Sequence, residues 1–156
     1  MDTNQGANNL KHDNYTEQFG RLKKALAGGF NLEAVFIEYS ILEDRTESIL
    51  RHAGKWDEYL KNRKDYPVTI ETKIKKIQKL AENKKDLLHK YFSDNLLTDV
   101  LLWKEKRNRL IHALLKLDLE AGEVADVALK GRELTNAVRN KAGNYIRAVE
   151  RRKRIA

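Results

Sequence analysis

Apolar residues that return every three or four positions, with one proline in the whole chain, most limit what these 156 residues can become. The stretch "LEAVFIEYSILEDRTESILRHAG" sets Leu32, Val35, Phe36, Tyr39, Leu42 and Ile49 largely at helical spacing, with Asn31 to cap it and Gly54 to close it. Thr16 precedes Phe19, Leu22 and Leu26 before Gly28-Gly29, and Thr69 precedes Ile70, Ile74, Ile77, Leu80, Leu87, Leu88 and Tyr91. Ser93 opens a run to about Leu117, and Gly122 a last one through Val124, Val127, Leu134, Val138, Tyr145 and Val149. No segment sustains the two-residue alternation of a strand. Residues 54–67 carry Gly54, Trp56 and Pro67 and read as a longer connection. The pattern predicts an all-α antiparallel bundle of four main helices plus a short N-terminal helix. Residues 1–13, polar and rich in Asn, read as a flexible arm, and 14–156 as a single domain.

Lys and Arg outnumber Asp and Glu by 31 to 23, a formal charge of +8. That balance favours polyanionic partners, nucleic acid ahead of an anionic membrane surface. Solubility alone also produces a heavily ionised surface. No window is long and apolar enough for a membrane span, and no leader pattern opens the chain, so a cytoplasmic protein without a membrane partner is expected. The absence of cysteine excludes disulfide and thiol chemistry. Four scattered histidines argue against a zinc site, and neither metal nor cofactor is expected.

One stretch departs from the bland pattern. "KRNRLIHAL", residues 106–114, sets Arg107, Asn108 and His112 into an otherwise apolar helix. Asn108 and His112 are four residues apart and stack on one side, whereas Arg107 lies about 140° around the helix from His112. Polar groups against an apolar stripe need a partner, and a phosphate would serve. Metal-free RNA cleavage needs a group that moves the 2′-hydroxyl proton, another that protonates the leaving oxygen, and a cation for the phosphorane charge. Histidine titrates near neutral pH and arginine grips phosphate with a planar fork. One copy supplies one such histidine; two facing copies supply two. The competing reading pairs Asn108 with His112 in the core and leaves both arginines to water.

Arg107-Asn108-Arg109-Leu110-Ile111-His112 resembles the R-N-x-x-x-H form of the Rx4–6H motif of HEPN domains. Arg45 and His52 share only the loose spacing, without the asparagine. The resemblance implies an all-α bundle, often dimeric, and in many members a metal-independent endoribonuclease of toxin–antitoxin, antiphage or CRISPR-associated systems. It implies Arg107, Asn108 and His112 as catalytic residues, a homodimer, RNA as substrate and a cognate antitoxin or regulator. It further implies a supporting polar residue from an early helix, for which Glu38 fits best, with Asp44 and Arg45 as alternatives. Other family members only bind RNA or protein, so a non-catalytic binding module stays open. Arg109, Arg147, Arg151, Arg152, Lys153 and Arg154 are candidate phosphate-binding residues. Lys61, Arg63, Lys64, Lys73, Lys75, Lys76, Lys79, Lys84 and Lys85 make a second basic stretch, near which Trp56, Tyr59 and Tyr66 could stack on bases or pin the connection.

Overall fold

The computed structural model describes residues 3–61, 68–114, 116 and 119–155. Among them the chain forms α1 (Thr3–Ala27), α2 (Asn31–His52), α3 (Trp56–Lys61), α4 (Ile70–Ala81), α5 (Leu87–Phe92), α6 (Leu96–Ala113) and α7 (Ala121–Ile155), and no strand. The all-α class expected from the spacing is the class observed.

Two glycines stop α1 and α2 as their positions predict. Gly29 sits at φ +73° and Gly54 at φ +67°, where a Cβ would be strained. The residue beyond each then reaches back: Phe30 N–H donates to the Ala25 carbonyl at 2.8 Å, and Lys55 N–H to that of Leu50 at 3.1 Å. These are Schellman closures, which satisfy carbonyls that a helix end otherwise leaves open.

Several boundaries differ from the sequence reading. The first helix is not short: it begins at Thr3, so residues 3–13 extend it and Thr16 lies within it. Once Tyr15, Phe19 and Leu22 are packed, each further turn adds hydrogen bonds to an existing nucleus. The expected third helix is two, because "ENKKD" interrupts it and Asp86 restarts the chain, its carboxylate accepting from Leu88 N–H at 2.8 Å. The 54–67 connection contains α3, and α6 is capped at Asn95 rather than Ser93. Arg63, Lys64, Tyr66, Pro67, Leu115 and Leu117 lie outside the described residues.

The directions of the helices follow from which side chains meet. Arg45 lies over Tyr15 and Arg21 pairs with Glu33, so α1 runs antiparallel to α2. Trp103 Nε1 donates to the Val127 carbonyl at 2.9 Å and Lys141 pairs with Asp94, so α6 and α7 form an antiparallel hairpin. In contrast α2 and α7 run the same way: Glu38 faces Gly131 near one end, while His52 and Val149 share a cavity at the other. Four helices separate them in the chain, and no short loop forces the opposite sense. The core between them holds Leu42, Ile49, Val138 and Ala142 without exposure, and Tyr145 meets Phe92 and Tyr91 edge-on at 6.0 Å. Among the described residues, no helix is long and apolar enough to cross a membrane.

Candidate active-site groove on α6

The motif residues divide between two faces of α6. Arg107 turns toward α2, its guanidinium carbon 4.4 Å from the Tyr39 ring centre and 5.2 Å from that of Phe36. Its Nη1 donates to Asn108 Oδ1 at 3.2 Å, and its buried Nε has no hydrogen-bond partner among the described residues. Stacking of this kind contributes roughly 1 kcal/mol and holds the side chain where it is. Asn108 is therefore engaged with Arg107 rather than paired with His112 in the core.

His112 is exposed. It lines an open groove of about 710 Å³ between the end of α6 and the start of α7. Lys106, Arg109 and Lys116 share its wall, Glu123 and Asp126 stand on the α7 side, and Leu110, Leu119 and Val127 add apolar surface. The fold thus brings His112 together with Arg109 and two lysines, and sets Arg107 against the aromatics of α2. Helical arithmetic gives the reason: Arg109 is about 60° from His112, against 140° for Arg107.

Glu38 is wholly buried, and neither carboxyl oxygen has a hydrogen-bond partner among the described residues. Opposite it stands Gly131 of α7, where a Cβ would overlap Glu38 Oε2 and lie 2.7 Å from Trp103 Cζ2. Burial pushes the Glu38 carboxyl up to about 9, with Arg132 acting the other way, so it is a neutral acid at pH 7. Glu38 meets α6 near Trp103, one turn before Arg107, so an effect on the motif passes through that indole. Gly131 escaped the sequence reading. A glycine inside a long helical pattern was the signal that could have found it.

Asp44 and Arg45 sit elsewhere. Arg45 Nε donates to Asp44 Oδ2 at 2.9 Å, and the Arg45 guanidinium lies 4.3 Å over Tyr15. Arg139 lies 4.5 Å over Phe19, so the two arginines fasten α1 to α2 and α7. Of the basic candidates, Arg147 donates to Asn144 Oδ1 at 2.6 Å, Arg151 and Arg154 are exposed, and Arg152 and Lys153 line a cavity far from His112. Lys73 leaves the basic surface: it is buried between Glu43 and Glu47, 3.5 Å from each. Trp56 is buried as well, with Lys73 at 5.6 Å and Arg51 at 5.1 Å from its ring. It pins the connection to the core, while the Tyr59 side chain and Tyr66 lie outside what is described.

Among the described residues no three His, Asp or Glu side chains gather as metal ligands. Comparison with family models, with curated proteins and with solved structures finds no match to this chain.

Proposed function

We propose that this chain is a HEPN-like, metal-independent endoribonuclease that works as a homodimer through the His112 groove. The observation that carries the reading is an exposed imidazole on a groove wall with Lys106, Arg109 and Lys116. In such a site His112 takes the proton of an RNA 2′-hydroxyl, and the freed oxygen attacks the adjacent phosphorus. The bond to the 5′-oxygen breaks, and that oxygen takes a proton from the imidazole of the second copy. The products are a 2′,3′-cyclic phosphate and a 5′-hydroxyl, with no water consumed. Arg109 stabilises the phosphorane charge from the groove, while Arg107 is held away from it by Asn108 and the aromatics of α2. By the family resemblance, the enzyme would serve toxin–antitoxin or antiphage defence and be restrained by an antitoxin or regulator.

Dimerisation is supported by the surface itself. Leu102, 59% exposed, lies one turn before Lys106 on the same stripe, and Leu129, 58% exposed, follows Asp126 on α7.

A second reading, a binding module without catalysis, is favoured by the position of Arg107, whose guanidinium is stacked on Tyr39 and Phe36. The two readings part in one assay: cleavage of labelled single-stranded RNA in EDTA by the wild type, Arg109→Ala and Arg107→Ala. The nuclease reading expects cyclic-phosphate ends and a loss of about a hundredfold in rate for Arg109→Ala. RNA bound with a steep salt dependence and left intact by all three proteins would establish the binding module.

A further inference from the structure

A second concave site lies at the other end of α7. It has a volume of about 350 Å³, and its polar lining is His52, Lys55, Lys85, Asp86, Arg152 and Lys153. Val127 beside the His112 groove and Val149 beside this cavity are 22 residues apart on one helix, about 33 Å. These are separate places.

The charges come from segments distant in sequence: the turn after α2, the turn before α5 and the last turns of α7. Four cations that converge in this way repel one another. Two helix C-termini offset about half a charge each. The one lining carboxylate, Asp86, is already committed to capping α5 through Leu88 N–H. Lys55 and Lys153 have solvent-exposed partners, Glu58 at 3.2 Å and Glu150 at 3.4 Å, whereas Lys85 and Arg152 hold no ion pair among the described residues. Lys85 and Arg152 are therefore the cations left to a ligand. His52 is turned back to its own helix: its Nδ1 lies 2.7 Å from the Ser48 carbonyl, which can only accept, so Nδ1 carries a proton. A planar guanidinium and ammonium groups in one concavity match the oxygens of a phosphate.

We propose that this cavity is a phosphate-binding site, distinct from the His112 groove, that takes a phosphate of an RNA backbone or of a free polyphosphate. Only the first source rests on the RNA reading above.

The test uses the full chain carrying His112→Ala, so that RNA stays intact. Lys85→Gln/Arg152→Gln is compared with Lys23→Gln/Lys24→Gln, the same charge change on the exposed surface of α1. Binding of a labelled 20-nucleotide single strand, of the order of an RNA segment that reaches both sites, is followed by anisotropy across a KCl series; tripolyphosphate is followed by thermal shift. The cavity variant is expected to bind RNA about tenfold more weakly at low salt. Its salt slope should fall by about 1.4, two phosphate contacts at roughly 0.7 each. The α1 variant should stay within about twofold, because it removes no contact of this kind. A tripolyphosphate shift lost only in the cavity variant, with RNA binding unchanged, identifies the free polyphosphate as the ligand and also supports the site. Equal losses in both variants, with equal tripolyphosphate shifts, overturn it. A wild-type chain that cuts RNA under that last outcome keeps the nuclease reading, and one that holds tripolyphosphate in the cavity without cutting RNA does the reverse.

Discussion

Glu38 is the residue whose physics is most out of the ordinary. Its carboxyl stands at about 9 in the fold against 4.5 when exposed, so the folded chain binds more protons than the unfolded chain between those values. Stability contributed by this group is present below pH 4.5 and is lost as pH rises toward 9, at up to about 1.4 kcal/mol per unit. Glu38→Gln keeps the shape and removes the titration. Chemical denaturation from pH 5 to 8 should show the variant gaining on the wild type as pH rises; a constant difference would mean that Glu38 is ionised in the fold. Gly131→Ala reports on the same contact from α7. In an ordinary helix interior the change stabilises by up to about 1 kcal/mol. Here the added methyl meets Glu38 and the Trp103 ring, and a destabilisation of about 1–3 kcal/mol is expected, recovered in part by Glu38→Ala in the same chain.

At the scale of elements, helix ends were legible where glycine alone decides them, and less so where side chains compete. Gly29 and Gly54 end helices because each sits at positive φ, which a sequence announces by the residue type. Gly54→Ala should lower stability by about 1 kcal/mol in thermal or denaturant unfolding, and an unchanged midpoint would contradict the strain argument. The break at Asn83–Asp86 was not legible, because leucines on either side keep the helical period and only the Asp86 cap separates α4 from α5. The length of α1 was hidden for the opposite reason: its first turns are polar, and periodicity is silent where no face is apolar. Lys104 joins α6 to α4 through Glu71 at 2.8 Å, and with Lys75 it holds the Glu71 carboxyl down at about 2. That contribution is present above pH 4.5 and lost as pH falls toward 2. Glu71 is partly exposed, so Glu71→Gln should lower stability by under about 1 kcal/mol and the effect should fade in high salt.

For the whole molecule, the sequence carried the class and the chain segment of the candidate site but not its composition. The apolar spacing contains no information on which helices become neighbours, so the parallel run of α2 beside α7 had to come from tertiary packing. The motif put Arg107, Asn108 and His112 on one helix, yet the aromatic face of α2 holds Arg107 while the α6–α7 hairpin opens the groove at His112. Arg109 joins His112 there by helical spacing, a relation visible in the sequence once the groove is known. Lys73 and Trp56 show the converse: residue types suited to RNA are spent on the core. If the groove is a dimer face, Leu102→Asp should convert a concentration-dependent dimer to monomer in analytical ultracentrifugation. Cleavage should fall with dimer content, since the leaving oxygen then lacks the second imidazole. A variant that stays dimeric, or a wild type that is monomeric and active, would remove the second copy from the mechanism.

Whether His112 moves a proton in RNA cleavage, as we propose, is read from the cleavage rate of single-stranded RNA in EDTA for wild type and His112→Ala at equal purity. Cyclic-phosphate products from the wild type and a rate about 100- to 10,000-fold lower for the variant are expected. Equal rates in the two proteins, or cleavage by the wild type that appears only when a divalent metal is restored, would contradict the proposal.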